Sequence, residues 1–148
     1  MINLLRICLL ISFTMPSVKE KSEDKVNLTI SILSLHDTEH DVYIAVSRKT
    51  DGFPDKTDMA KAIVLRPLGK NSISTVITDL PYGKYAVMVF QDMNENKKLD
   101  KNFLGIPTEP FAFSNNYKPM FRAPRWEDCE FEYSAKCNMV VIKKLIKM

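Results

Sequence analysis

The sequence predicts an all-β chain folded as an antiparallel sandwich of about seven strands. Three observations carry that expectation. Apolar and polar residues alternate in short runs, no segment sustains a helical period, and clusters of Gly, Pro, Asp and Asn punctuate the runs. A chain of 148 residues fits a single domain and can bury roughly two thirds of its unfolded surface around one core.

The first stretch, MINLLRICLLISFTMPS, sets Arg6 before a mostly apolar run from Ile7 to Met15, the order found in a secretory signal peptide. A spanning helix needs about 20 apolar residues, and this run is roughly half that. Residues 1–17 are therefore expected to be a signal peptide, residues 18–25 (VKEKSEDK) a charged linker, and residues 26–146 one β-sandwich domain. The expected location is periplasmic or extracellular, with no transmembrane span in the mature form. Leu5-Arg6-Ile7 puts a charge before Cys8 where a lipoprotein signal needs small residues.

Val26, Leu28, Ile30 and Ile32 alternate with Asn27, Thr29 and Ser31, which reads as a half-buried strand. The polar cluster HDTEHD at 36–41 turns the chain into a second strand inward-facing at Val42, Ile44 and Val46, and the two are expected to pair as a hairpin. KTDGFPDKTD at 49–58 is loop, followed by a helical turn from Met59 to Ala62 and a third strand near 62–66. Gly69-Lys70-Asn71 turns into the strand SISTVIT. In DLPYGKY, Pro81 fixes its own φ, Gly83 permits a positive one, and Tyr85 can return its hydroxyl to the loop backbone as a tyrosine corner. The strand that follows carries Tyr85, Val87 and Val89 on one face and Ala86, Met88 and Phe90 on the other. Apolar on both sides, it is expected at the centre of a sheet. Strands near 129–133 and 138–146 close the domain.

The charge balance, 21 Lys+Arg against 18 Asp+Glu, gives only +3. The cations are scattered apart from KKLIK at 143–147, too few for a nucleic-acid footprint. Cys129 and Cys137, in CEFEYSAKC, form an even pair. In an oxidising compartment they are expected to join as a disulfide across a hairpin centred near Tyr133; in a reducing one they are two thiols.

Chemistry concentrates in QDMNENKKLD, 91–100. Asp92, Asn94, Asn96 and Asp100 stand at positions 1, 3, 5 and 9 of a polar run, and with the carbonyl of Lys98 they supply oxygens of the kind Ca²⁺ takes. The loop is not an EF-hand, since Lys97 and Phe103 occupy the places of its Gly and bidentate Glu. Two carboxylates opposed by Lys97, Lys98 and Lys101 suggest a weak site, with a dissociation constant of roughly 10⁻⁴ to 10⁻³ M, unless Glu95 or Glu109 completes the set. The alternative is an Asx-rich turn whose side chains bond their own backbone. As a calcium loop, its ion-free form should lose little when Asp92 or Asp100 is replaced by Ala.

A second segment is dense in rings: Phe103, Phe111, Phe113, Tyr117, Phe121 and Trp126. It reads either as a small-ligand pocket, with Phe111, Phe113 and Trp126 as walls and Asn115 and Asn116 as polar anchors, or as a cap on the core. Pro107, Pro110 and Pro119 argue against a regular ladder there. No catalytic residue is proposed. His36 and His40 sit in a turn, the acids near the rings (Glu109, Glu127, Asp128) have no His beside them, and G-x-S-x-G, Walker A and C-x-x-C patterns are absent. The favoured function is a non-enzymatic exported module binding a protein or envelope component; the alternative is a small-ligand binder or enzyme using residues 103–126.

LPYGKYAVMVFQDMNENKKLDKNFLGIPTEPFAFSNN, residues 80–116, resembles the signature of the bacterial domain-of-unknown-function family 2141 (DUF2141): L-P-x-G-x-Y, D-x-N-x-N-x-x-L-D, F-x-G-I-P and F-S-N-N. Gly52-Phe53 upstream and Arg122 to Asp128 downstream extend the likeness over roughly residues 26 to 146. The resemblance implies an exported sandwich of the immunoglobulin or transthyretin type with no established activity. Lys97 departs from it, standing where many relatives carry Gly.

Overall fold

The computed structural model describes residues 26–54, 61–120 and 122–148. The expected signal peptide and linker, and Met59 and Ala60 of the expected helical turn, lie outside the described residues. Among the described residues there are eight strands: β1 (Leu28–Ile32), β2 (Val42–Ser47), β3 (Lys61–Leu65), β4 (Ile73–Ile77), β5 (Gly83–Gln91), β6 (Phe111–Phe113), β7 (Phe131–Tyr133) and β8 (Met139–Ile142). They form a three-stranded sheet, β4-β1-β8, and a larger one, β3-β2-β5-β6, with β7 paired to the start of β5. The sandwich expected from the alternating pattern is thus present.

Side chains at every second position meet between the sheets. Leu28, Ile30 and Ile32 of β1, Ile77 of β4 and Val140 and Ile142 of β8 pack towards Val42, Ile44 and Val46 of β2 and Tyr85, Val87 and Val89 of β5. As its two apolar faces required, β5 is central, paired antiparallel with β2 and with β6. Tyr85 forms the expected corner, its hydroxyl donating to the Pro81 carbonyl at 2.8 Å. Gly83 takes φ of 153°, a backbone conformation that side-chain-bearing residues rarely adopt.

The structure corrects several expectations of connectivity. β1 and β2 do not form a hairpin; β1 pairs with β4 and β8 in one sheet and β2 with β3 and β5 in the other. The turn at 36–41 crosses between the sheets because it is folded around the buried carboxamide of Gln91, which accepts from the amides of His36 (3.0 Å) and Asp37 (3.2 Å) and donates to the carbonyls of Asp37 (3.0 Å) and His40 (3.1 Å). The β1–β8 pair is parallel, an exception to the otherwise antiparallel ladders. The prolines of 107–119 do not exclude a ladder either, since β6 fits between Pro110 and Pro119. Finally, the expected strand at 129–133 begins only at Phe131, after a four-residue helix, α1 (Trp126–Cys129).

The outer face of the larger sheet is also apolar, and it is covered. Ala86, Met88, Phe111, Phe113, Trp126 and Cys129 form a second buried cluster, with Phe53, Phe90, Leu99, Tyr117 and Ile146 packed against it. Apart from β6, which belongs to the sheet, the described residues between Leu99 and Glu130 therefore cover this face as a third layer; they hold the ring-dense stretch, and the 92–100 loop leads into them.

Candidate functional site

At the end of β5 the chain leaves the sheet at Asp92, whose amide donates to the Asp41 carbonyl at 3.0 Å. Asp92 is only 2% exposed. Its Oδ1 accepts from the Asn96 amide at 3.1 Å and its Oδ2 from the Lys97 amide at 2.6 Å, so one carboxylate winds the following five residues back on themselves. Tight winding needs left-handed backbone at Glu95 (φ 62°) and Lys97 (φ 65°). That is the conformation a Gly would adopt freely.

Within the ring so formed, Asn94 Nδ2 donates to Asp100 Oδ2 at 2.6 Å, and Asn96 Nδ2 donates to both oxygens of Asp100 at 3.0 and 2.9 Å. Asn94 Oδ1 shares the Asn96 amide with Asp92, at 3.2 Å, and Lys98 joins through its own amide, which donates to Asn96 Oδ1 at 2.8 Å. All five expected ligand residues are thus brought together, Lys98 by its N–H. Glu109, 4% exposed, is the residue the spacing left undecided. Its Oε1 accepts from the Met93 amide at 2.8 Å and its Oε2 from the Asp100 amide at 3.1 Å, clamping the two ends of the loop rather than adding to its centre. Glu95 is exposed. Among the described residues no group of three or more His, Cys, Asp or Glu side chains forms a metal-binding cluster; the donor set here is two carboxylates and two carboxamides.

The aromatic segment divides in two. Phe111 and Phe113 line a cleft of about 310 Å³ together with Leu104, Ile106 and Met120, but their own side chains are buried, and their rings meet edge to face at 5.7 Å. Trp126 packs on Phe53 at 6.0 Å and donates from Nε1 to Glu130 Oε2 at 2.7 Å. Asn115 and Asn116 hold the chain, not the cleft. Asn115 Nδ2 donates to the Glu130 carbonyl at 2.9 Å, while Asn116 Nδ2 donates to the Val141 carbonyl at 3.0 Å and its Oδ1 accepts from Lys143 N–H at 2.7 Å. A neighbour that spacing did not reveal, Ser114, is buried; its Oγ accepts from the Val87 amide at 2.9 Å and donates to the Cys129 carbonyl at 2.5 Å, continuing the β5 ladder where β6 stops.

The acids of this layer are committed to partners. Glu127 pairs with Lys49 at 2.9 Å, and Asp128 with Arg122 at 2.5 Å and with the Arg125 amide at 2.8 Å. The Arg122 hydrogen bonds, helped by that amide, hold the Asp128 carboxyl down at about 2.

Cys129 and Cys137 are not joined. Cys129 is buried in α1 and Cys137 exposed in the turn after β7; since the strand starts two residues beyond Cys129, the two are not opposite one another as the expected hairpin required. Burial pushes the Cys129 thiol up to about 12, far from the thiolate that reacts. With a maleimide near neutral pH, Cys137 is expected to be modified quickly in the folded chain and Cys129 only on unfolding, as peptide mapping would show. Modification of both at equal rates, or of neither because they are bonded, would contradict this arrangement.

No curated protein and no solved structure matches the chain. A family described as "Uncharacterized protein conserved in bacteria (DUF2141)" matches residues 30–140, a span that runs from β1 through the tyrosine corner, the 92–100 loop and the covering layer to β8. The chain belongs to the DUF2141 family.

Proposed function

We propose that this protein is an exported, non-enzymatic binding module for a protein or envelope component, and that its 92–100 loop takes up a calcium ion. The observation that supports the ion is the convergence of Asp92, Asn94, Asn96 and Asp100. The Asn94 and Asn96 carboxamides meet Asp100 through nitrogen at 2.6 to 3.0 Å. To bind the ion, either amide group gives up the backbone bond its Oδ1 accepts, from the Asn96 amide for Asn94 and from the Lys98 amide for Asn96, and turns that oxygen, with those of Asp92 and Asp100, towards a Ca²⁺ at about 2.3–2.6 Å. The non-enzymatic reading rests on the covering layer, where Glu109, Glu127 and Asp128 are each engaged with backbone amides or cations.

Melting curves in calcium and in chelator test the ion. At a hundredfold excess over the dissociation constant, calcium should stabilise the fold by about 2.7 kcal/mol, a rise of several degrees, and magnesium, which demands a tighter shell, should do so poorly. Unmoved melting and unmoved loop amide signals in millimolar calcium would leave the stretch a turn. Export is checked separately by the mass of protein from the producing cell, expected to lack residues 1–17.

One observation favours a second reading, a small-ligand binder: the cleft over Phe111 and Phe113 is of a size for a small apolar molecule. Its walls are mostly apolar, with Lys101 and Arg122 among them, and Asn115 and Asn116 turn their amides elsewhere. Screening for apolar compounds that shift the Phe111 and Phe113 ring signals would distinguish the two.

A further inference from the structure

An edge strand offers unpaired N–H and C=O groups to any other strand, and proteins blunt such edges with charge, shortness or cover. Here the edges are treated unequally. β6 is closed by the end of the chain, Phe111 and Ile146 each donating to the other's carbonyl at 2.8 Å. β8 is closed by one side chain: the Asn116 carboxamide donates to the Val141 carbonyl at 3.0 Å and accepts from Lys143 N–H at 2.7 Å, as a neighbouring strand would. β7 is only three residues long, and β3 carries Lys61. β4 has none of these protections. The run from Asn71 to Thr78, NSISTVIT, bears no charge and contains no Pro or Gly, and among the described residues β4 pairs with β1 alone.

The ladder shows which groups of β4 are open. Thr29 and Leu33 donate to the Asn138 (2.8 Å) and Ile142 (2.9 Å) carbonyls on the β8 side, so the backbone groups of Leu28, Ile30 and Ile32 are directed to β4. Their partners there are Ile77, Thr75 and Ile73. The N–H and C=O of Ser74 and Val76 therefore point away from the sheet, while the Thr78 carbonyl just beyond them is taken by Lys61 Nζ at 2.8 Å. Ile73-Ser74-Thr75-Val76-Ile77 reads nearly the same in both directions. Pairing with its own copy asks for such a pattern; pairing with a strand of another protein does not.

We propose that β4 pairs antiparallel with β4 of a second copy of this chain, about a two-fold axis at Thr75, so that two three-stranded sheets become one. In this register Ser74 exchanges both its backbone hydrogen bonds with Val76 of the second copy, and Val76 with its Ser74. Ile73, half-buried at the rim of the core, comes to lie beside Ile77 of the second copy, and no like charges meet. Because each copy uses its one open edge of this kind, the assembly closes at two. Neither the ion loop nor the cleft is involved.

The test is sedimentation equilibrium of the chain as isolated from its producing cell, from about 10 µM to about 1 mM, the span in which weak pairs form, with hydrogen exchange followed at both ends. Association should stop at two copies. The amides of Ser74 and Val76 should exchange more slowly in concentrated protein than in dilute, whereas the Thr75 amide, directed to β1, is protected in both. Ser74→Lys with Val76→Lys sets lysines opposite one another twice and should weaken association about tenfold or more; mixing that variant with Ser74→Glu, Val76→Glu should restore it. Val76→Pro should abolish association in a folded chain, because the N–H it removes points away from β1. Val76→Lys alone serves if replacing Ser74, whose hydroxyl meets that of Ser31 at 2.8 Å, unsettles the fold. A chain monomeric at every concentration would overturn the proposal and leave the edge to a strand of another protein. Growth beyond two copies would also overturn it, as would association that leaves the Ser74 and Val76 amides unprotected or survives the variants.

Discussion

Replacing Phe111 with alanine is expected to lower the free energy of unfolding by about 3–5 kcal/mol, as read from denaturant titrations. The ring is fully buried in the second cluster, against Phe113, and the same residue exchanges backbone hydrogen bonds with Ile146 at 2.8 Å in both directions. It thereby ties the larger sheet to the end of the chain. Loss of the ring leaves a cavity between a sheet and a layer with little regular structure to collapse around it. The size of the loss separates the two readings of the aromatic segment: a wall of a ligand site, half open to water, would cost under about 1 kcal/mol, and such a value would move Phe111 from core to pocket.

Asp92→Ala should cost about 3 kcal/mol even in chelator, and more in calcium, where the stabilisation by the ion is lost as well. The sequence had suggested otherwise, that an ion-free loop loses little with a ligand. The structure gives Asp92 a second duty: buried, it accepts from the amides of Asn96 and Lys97, and its removal strands the Lys97 donor and leaves the Asn96 amide only its 3.2 Å bond to Asn94 Oδ1; a hydrogen bond to a charged group is worth about 1.5–3 kcal/mol. Asp100→Ala is the informative contrast. Among the described residues its carboxylate is bonded by the Asn94 and Asn96 side chains alone, so it should remove a calcium response while leaving the chelated protein close to the parent. If Asp92→Ala melts like the parent in chelator, the loop is not braced as described.

What could be read in advance follows from how far each signal reaches. Period-two alternation is local, so the inward residues of β1, β2 and β5 were legible, as were the Tyr85 corner and the convergence of Asp92, Asn94, Asn96 and Asp100, whose spacing fits within one loop. Partner choice is not local. Nothing in Val26 to Ser47 says that Gln91 will fill the 36–41 turn and send β1 and β2 to different sheets. The clamp by Glu109 was similarly hidden, because its partners Met93 and Asp100 lie across the loop rather than beside it. Asn115 and Asn116 misled for a related reason. A carboxamide next to aromatic residues looks the same whether it faces a ligand or a backbone carbonyl, that of Glu130 for Asn115 and of Val141 for Asn116, and only the fold distinguishes them.

The parallel pairing of β1 with β8 sets a timetable for the chain. Thr29 faces Met139, and the Tyr133 hydroxyl donates to the Val26 carbonyl, so the outset of the domain is completed by its close. Synthesis proceeds at about 5–20 residues per second, which leaves β1 with an open edge for about 5–20 s after it emerges. During that interval an apolar strand with unpaired amides is exposed to its neighbours, and once the last strand arrives, closure over so long a loop belongs to the millisecond-to-second regime of high contact order. A holdase that shields the Leu28–Ile32 strand would therefore matter most before Met139 appears and little afterwards.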